Sequence, residues 1–234
     1  MIDRSSPSGI STSLMKRFID IIVSLPVLIL CIPLIIPILL IVSIITGNSP
    51  VLRQKRMSSL DKEDIKIFKI RTIKTSKSFK EKERKSENIF NKSGYEEYVP
   101  LFCRWLRRSG LDEILQLINV IKGEMSLVGP RPLTTGDLEL LKKSEPELYE
   151  RRRILNSKPG ITGYWQVYGR REDGAFNLIE NDEYYERNKS LIMDLKLILK
   201  SVVVLLTASH SDSILRTARD KQQTCLPDLR SIEY

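Results

Sequence analysis

Residues 104–132, RWLRRSGLDEILQLINVIKGEMSLVGPRP, are the most informative stretch of this chain. Apolar residues recur in it at helical spacing, which predicts a helix with one buried face and one polar face. These apolar positions are Leu111, Ile114, Leu115, Ile118 and Ile121. Gly123 follows Lys122, and a glycine after a basic residue predicts that the helix ends there.

Two adjacent carboxylates, Asp112 and Glu113, lie in the first turn of this predicted helix, and arginines stand on both sides of it. Acids and arginines gathered at a helix N-terminus favour a site for a phosphorylated, metal-bridged ligand. A second interpretation stays open, because Ser109 and Asp112 also fit a capping box. In that case Asp112 only completes the helix N-terminus.

The composition narrows the classes of function. The chain of 234 residues is long enough for one or two domains. Its net charge of +9 predicts an anionic partner, namely nucleic acid, an acidic membrane surface or a phosphorylated substrate. The scattered cysteines Cys31, Cys103 and Cys225 argue against a disulfide framework or a zinc site. Because His210 is the single histidine, catalysis is expected to rest on carboxylates, arginines and a divalent cation.

Residues 18–46 are overwhelmingly apolar, and Asp20 is their only charged residue. At about 1.5 Å per residue, this run is long enough to cross a hydrocarbon core of about 30 Å. Pro26, Pro33 and Pro37 each remove a helical hydrogen bond, and basic residues flank both ends of the run, so the positive-inside rule gives no orientation. Physical arguments therefore leave two alternatives, a helix that spans the membrane and a re-entrant helix that returns to the same face.

The remaining segments predict a mainly helical domain with a small β element. Residues 51–72 contain two alternating pieces, of which residues 65–70 are a strand, and residues 74–93 are an exposed, mixed-charge tract. Residues 135–153 form one or two helices with Pro146 in a first turn. Residues 156–171 form a structured loop around a core Trp165, and residues 190–207 form an apolar helix.

The chain lacks the glycine-rich loops of common nucleotide-binding folds and the GxSxG motif of hydrolases. It does resemble the bacterial sugar transferases of the small monotopic polyprenyl-phosphate phosphoglycosyl transferase family. The matching stretches lie in family order: KR and Asp20 (16–20), QKR (54–56), FKIRT (68–72), LDE (111–113), QLINVIKGEMSLVGPRP (116–132), KPGITG (158–163), WQV (165–167), GR (169–170), YY (184–185), SL (190–191) and DLK (194–196).

The resemblance implies transfer of a sugar-1-phosphate from a UDP-sugar to polyprenyl (undecaprenyl) phosphate, with release of UMP. Asp112 matches the family's nucleophile, which forms a phosphosugar–aspartyl intermediate and holds Mg²⁺. Glu113 matches the second catalytic acid, and Arg107 and Arg131 are expected to contact phosphate. Pro132 also restricts Arg131 to an extended backbone, which presents its guanidinium with little entropy left to lose.

The same resemblance implies an N-terminal re-entrant membrane helix followed by a compact cytoplasmic catalytic domain with amphipathic interfacial helices. The expected boundaries are a disordered start at 1–13, a helix–break–helix at 14–48, the catalytic domain at 49–207 and a polar tail at 208–234. The expected location is the cytoplasmic face of the bacterial inner membrane. Pro33 matches the proline at the family's break, but Ile32 replaces its usual serine.

Three further expectations concern partners and alternatives. The partners are the UDP-sugar, the polyprenyl phosphate and membrane lipid, without nucleic acid, and a homo-oligomer is left open. Arg71 and Arg170 are weaker candidates for the site and are expected to be structural ion-pair partners. The alternative function is a catalytically inactive membrane-surface interaction protein on the same fold; the intact Asp112–Glu113 pair favours the enzyme, which would initiate a surface polysaccharide or glycoconjugate.

Overall fold

The computed structural model describes residues 7–75, 98–170 and 173–206, with side chains from residue 13 to residue 203 in these ranges. Three expectations fall partly or wholly on the other residues. The first six residues of the start expected to be disordered, residues 76–93 of the mixed-charge tract and the tail from residue 208 lie outside the described residues. The elements, in chain order, are α1 (Pro7–Thr46), β1 (Val51–Arg56), β2 (Ile65–Ile70), α2 (Leu101–Arg108), a 3-10 helix (Leu111–Gln116), α3 (Leu117–Lys122), β3 (Ser126–Val128), α4 (Thr135–Ser144), α5 (Pro146–Arg153), β4 (Gly160–Thr162), α6 (Tyr164–Tyr168), α7 (Gly174–Asn188) and α8 (Leu191–Leu206).

The N-terminal helix α1 is long and apolar enough to cross a membrane, by length and composition, over Ser13–Thr46. It begins at Pro7, within the segment expected to be disordered. It is also one uninterrupted helix that contains Pro26, Pro33 and Pro37, so the predicted break at Pro33 does not divide it in two. Proline is tolerated inside long apolar helices where neighbouring groups satisfy the freed carbonyl.

Both halves of α1 pack on the rest of the protein. Near its start, the carboxylate of Asp20 accepts hydrogen bonds from the hydroxyl and backbone of the β3 region, at Ser126 Oγ (3.1 Å) and Leu127 N (2.9 Å). Arg17 donates to the last carbonyls of α3. Further along, Ile38 and Val42 lie in the same apolar cluster as α2. The helix is therefore attached along its length.

The described residues contain two small sheets. β1 and β2 are antiparallel, with Val51 opposite Ile70 and Arg56 opposite Ile65, as the alternating pattern predicts. β3 and β4 are a parallel pair that the sequence analysis did not predict. Each has only three residues, which is too short for a period of two to be recognised. The overall prediction, mainly helical with a small β element, is confirmed.

The helices of the C-terminal half agree with the predicted pattern. Residues 135–153 form two helices, and Pro146 occupies the first turn of α5. Residues 156–171, expected as a loop, instead contain β4 and the short helix α6. The expected core position of Trp165 is confirmed, since the side chain is 1% exposed and belongs to the apolar cluster of α4 to α7.

Candidate active site

Asp112 and Glu113 lie in the 3-10 helix, directly beside strand β2. Both side chains are buried, with 2% and 8% of their surfaces exposed. Lys69 of β2 reaches between them, with its Nζ 3.0 Å from Asp112 Oδ2 and 2.6 Å from Glu113 Oε1. One cation therefore faces two adjacent carboxylates in a largely water-free site.

The local backbone overturns the capping-box interpretation. Asp112 lies in a 3-10 helix and not in an α-helix, and the residue before this helix is Gly110, whose φ of 67° lies in the left-handed region that favours glycine. The Ser109 hydroxyl donates to the Leu106 carbonyl and caps no N–H group. Asp112 still lies in the first turn of a helix, and the charges of Lys69 and Arg107 oppose the rise in its pKa that burial causes.

Burial and the nearby cations shift the pKa of Asp112, the candidate nucleophile, in opposite directions. Burial raises the pKa of Asp112 above its ordinary value, the Lys69 cation lowers it, and the neighbouring Glu113 raises it again. The net direction for the Asp112 pKa is upward. The two carboxylates in turn raise the pKa of Lys69, although burial opposes this. Lys69 is therefore protonated and compensates for the burial of the carboxylates.

Arg107 is the second cation at this cluster. It occupies the last turn of α2, and its charge lowers the pKa of both Asp112 and the buried Cys103. Arg107 and Asp112 are five positions apart along the chain, and the turn at Ser109 and Gly110 brings them together. The structure thus places Arg107, Asp112 and Glu113 in one cluster.

Asn119 fixes the backbone of the strand that carries Lys69. Its Oδ1 accepts a hydrogen bond from Phe68 N at 3.1 Å, and its Nδ2 donates to the Lys66 carbonyl at 2.8 Å. Asn119 is 0% exposed, so this side chain satisfies β2 backbone groups that are not paired with β1. Sequence reasoning missed both Lys69 and Asn119. The sequence signal for Lys69 was its position on the same strand face as Ile67, which is buried.

Arg131 lies in a different cluster. Its guanidinium carbon is 5.5 Å from the centroid of the Trp165 ring, a distance typical of a cation–π contact. Pro130 and Pro132 on either side are buried. Arg131 is thus held on the core of α4 to α7, and none of its contacts described here is with Asp112.

A buried ion pair underlies this second cluster. Arg152 and Asp182 are each 1% exposed, with Arg152 Nη1 2.9 Å from Asp182 Oδ2. Burial raises the pKa of Asp182 to about 6, although the Arg152 charge lowers it. Arg152 also donates from Nε to the Ser58 carbonyl at 2.9 Å and from Nη2 to the Arg131 carbonyl. Sequence reasoning missed this pair, because a run of three arginines at 151–153 resembles an exposed face.

The β1–β2 pair connects the two clusters. Arg56 donates to the Pro132 carbonyl at 3.3 Å and to Gln54 Oε1 at 2.9 Å. In the strand register, Leu52 lies opposite Lys69 and Arg56 opposite Ile65. Lys69 and Arg56 therefore point to one face of the sheet, about 13 Å apart along the strands. This face, which also carries apolar residues such as the buried Ile67, extends from Lys69 beside Asp112 to Arg56 at the Arg131 loop.

The weaker arginine candidates have structural contacts or an exposed position. Arg71 donates to the Ser49 carbonyl at 2.7 Å and to Thr75 Oγ1 at 3.1 Å. These contacts with described residues are hydrogen bonds to neutral groups, where an ion pair was expected. Arg170 is exposed, and its backbone N–H donates to Asn177 Oδ1.

The acceptors at the site suit a divalent cation only in part. Asp112 Oδ2 is buried and accepts no well-directed hydrogen bond among the described residues, although Lys69 lies at ion-pair distance. Within residues 7–75, 98–170 and 173–206, no group of three or more His, Cys, Asp and Glu side chains can hold a metal ion. Mg²⁺ commonly binds through one or two carboxylates together with substrate phosphates and water. The Asp112–Glu113 pair fits that mode and not a site made of protein alone.

Comparison with known proteins extends over most of the chain. The sequence model of a family described as bacterial sugar transferase matches residues 11–208. The exopolysaccharide production protein ExoY of Sinorhizobium fredii is 32% identical over 200 residues, which cover 80% of this chain and 83% of that protein.

Two further relatives are matched over a smaller part of their own length. The UDP-galactose-lipid carrier transferase of Erwinia amylovora is 29% identical over 204 residues, 84% of this chain and 41% of that protein. The undecaprenyl-phosphate galactose phosphotransferase of Salmonella typhimurium is 40% identical over 103 residues, 44% of this chain and 20% of that protein.

Proposed function

This chain belongs to the bacterial sugar transferase family, and on that premise we propose that it transfers a sugar-1-phosphate from a UDP-sugar to polyprenyl phosphate. The names of its relatives refer to undecaprenyl-phosphate sugar phosphotransferase activity and exopolysaccharide production. The observation that carries the proposal is the buried pair Asp112 and Glu113, which shares Lys69 and has Arg107 beside it. Such a site suits phosphoryl chemistry by a carboxylate nucleophile.

The reaction proceeds in two displacements. An Asp112 oxygen attacks the phosphorus attached to the sugar, a carboxylate–phosphorus bond forms, and the bond to the second phosphate breaks with its electron pair leaving on UMP. A phosphate oxygen of the polyprenyl phosphate then attacks the same phosphorus and releases Asp112. The product is a polyprenyl diphosphate sugar, and neither step requires a histidine.

The basic side chains stabilise negative charge in both steps of this reaction. Lys69 lowers the pKa of Asp112 and so increases its ionised fraction, and it can stabilise the oxygens of the phosphorus under attack. Arg107, beside the pair, binds a phosphate oxygen of the donor. Glu113 assists the incoming lipid phosphate. Arg131, in the loop that Arg56 contacts at Pro132, binds the donor diphosphate on the nucleotide side.

Mg²⁺ is the expected cofactor. Asp112 Oδ2 is a buried acceptor without a well-directed hydrogen bond, so Asp112 would hold the ion together with the donor's phosphates. When bound, Mg²⁺ supplies neutralisation of the charge that develops on the leaving phosphate.

The membrane arrangement is proposed to be re-entrant, with the active site at the cytoplasmic face of the inner membrane. Contacts from both halves of α1 to the same catalytic domain support this, since a straight crossing would draw the domain into the bilayer. Ser13 and Ser49 lie exposed near the two ends of α1. In a variant whose own cysteines are serines, S13C and S49C are both expected to react with an impermeant thiol reagent only in inverted vesicles; reaction from opposite sides would mean a span.

The activity is tested with membranes that contain the full chain, polyprenyl phosphate and a panel of UDP-sugars. Mg²⁺-dependent release of UMP is expected with one or two of the sugars, together with a label from the sugar phosphate on the protein when the acceptor is omitted. D112N should abolish both signals. D64N, at an exposed carboxylate that pairs with Lys55, is the matched control and should keep them.

The results separate the enzyme from its alternative. Full UMP release in D112N would overturn the nucleophile assignment. Absence of release by the unaltered chain with every sugar would favour an inactive membrane-surface protein on the same fold.

A further inference from the structure

The Arg152 side chain touches three separate segments from a fully buried position. Its three guanidinium nitrogens donate to the Ser58 carbonyl after β1, to Asp182 on α7, and to the Arg131 carbonyl in the loop after β3. Arginine alone offers a rigid planar fork that can satisfy acceptors in several directions at once. A lysine at this place would bring the charge without the fork.

Burying such a pair is not an efficient way to stabilise a core. Replacement of a buried ion pair by apolar residues of similar volume is often neutral or stabilising, so burial alone does not account for Arg152 and Asp182. The contacts of this pair indicate a more specific role, because Arg152 also donates a hydrogen bond to the backbone of the loop that carries Arg131.

This loop is held by carbonyl groups at two successive residues. Arg152 holds the carbonyl of Arg131, and Arg56 holds the carbonyl of Pro132 at 3.3 Å. The preceding Gly129 donates from its backbone to the Thr162 carbonyl at 2.9 Å. The Arg131 guanidinium lies over the Trp165 ring, and Arg152 contacts the backbone of the same residue.

We propose that Arg152, neutralised by Asp182, is a positioning residue that sets the Arg131 guanidinium at the donor diphosphate. The inference rests on the proposed function, in which Arg131 binds that group. Arg152 itself touches no substrate. Because Arg152 fixes the backbone of Arg131 in advance, Arg131 loses less conformational entropy when the donor binds.

A neighbouring ion pair provides the matched control. Arg151 and Glu183 join the same two helices, α5 and α7, through two hydrogen bonds of 2.8 and 2.9 Å. The described contacts of Arg151 are with Glu183 and the Phe176 ring on α7. An R151K change therefore weakens the same helix contact without acting on the loop.

The experiment measures UMP release by the full chain in nanodiscs, with the UDP-sugar and the polyprenyl phosphate varied separately. For R152K, the KM for the UDP-sugar should rise about tenfold, the cost expected for lost hydrogen bonds to a charged group. The kcat and the KM for the polyprenyl phosphate should stay unchanged, because a contact equal in ground and transition states affects KM alone. R151K should change none of the three.

A double-mutant cycle separates positioning from general damage. R131A should raise the donor KM by itself, and R152K added to R131A should raise it no further, because the residue that Arg152 positions is already absent. An equal increase in both backgrounds would overturn the proposal. So would an unchanged donor KM in a folded R152K variant.

Two provisions keep the test decisive. If R152K does not fold, R152Q replaces it, since a glutamine amide cannot reach the three acceptors of Arg152 at once. The same rise in donor KM is expected, cancelled again in the R131A background, and an unchanged donor KM would overturn the proposal. If the unaltered chain releases no UMP, the proposed function fails; if it is active and its variants keep the donor KM, only the positioning role fails.

Discussion

Lys69 and Asp112 form a buried ion pair, with Lys69 Nζ 3.0 Å from Asp112 Oδ2, although the two residues belong to distant parts of the chain. In the proposed mechanism this pair favours the ionised form of a carboxylate that is only 2% exposed. Burial raises its pKa, and the lysine is the strongest influence in the opposite direction. The pKa of Asp112 therefore depends on β2, which carries Lys69, as well as on its own 3-10 helix.

Removal of the Lys69 charge should make the enzyme require a higher pH. In K69M, Asp112 loses the cation that lowers its pKa, so protonation persists further up the pH scale and the acid limb of the kcat profile moves to higher pH. K69R keeps the charge and should keep the limb near its original place. The profile is measured by UMP release under saturating donor, and an unmoved limb in K69M would contradict the role given to Lys69.

Two adjacent arginines of α2 should behave differently. Arg107 acts on Asp112 electrostatically, whereas Arg108 is exposed. R107A should lower kcat/KM by about tenfold to a hundredfold, the cost of a lost charge-assisted hydrogen bond to phosphate, and R108A should leave it within the experimental error. Initial rates at low UDP-sugar concentration give this ratio directly. Equal effects of the two changes would mean that only the total basic charge of α2 matters.

The stability of the protein should depend on pH through Asp182. Its pKa is about 6 in the folded protein against an ordinary 3.8, so between these values the folded state binds more protons than the unfolded state. The free energy of unfolding should then fall as the pH rises through this window, by about 2–3 kcal/mol, and stay level above it. D182N should not show this decrease.

Thermal unfolding in detergent at about pH 4 and about pH 7 measures this difference. Glu183 provides a control of opposite sign, because Arg151 lowers the pKa of that carboxyl. The contribution of Glu183 to stability is present at neutral pH and is lost as the pH falls through the pKa of this carboxyl in the folded protein. The decrease in unfolding free energy at acid pH should therefore be smaller in E183Q. An identical pH dependence in D182N and the unaltered chain would count against the assignment.

Close backbone packing at the base of the Arg131 loop should make Gly160 irreplaceable. A Cβ there would lie 2.1 Å from Gly129 N and 2.3 Å from the Thr162 carbonyl oxygen, and backbone atoms cannot move aside as a flexible side chain can. G160A should lower stability by about 3 kcal/mol or more, in the range of severe overpacking. G136A is the matched change, since nothing lies within 4 Å of its Cβ, and it should unfold at or slightly above the original temperature.

The sequence by itself determined features that depend on neighbouring residues. The alternation of IKIFKI predicted β2 with its observed ends, and Pro146 predicted the start of α5. Arg107, Asp112 and Glu113 could be grouped because only a few residues separate them. The order of short motifs along the chain identified the family, which the match over residues 11–208 confirms.

Only the tertiary structure decided which distant groups meet. Lys69 and Glu113 are 44 positions apart, and Arg152 and Asp182 are 30 apart. An arginine in a basic run has the local pattern of a solvent-exposed side chain. The place of Lys69 on the strand face of Ile67 does not reveal which carboxylates it meets. Burial of these two cations becomes favourable only when another segment brings an opposite charge and further hydrogen-bond partners. Such compensation arises from packing between elements, so the pairing could be recognised only after the elements were assembled.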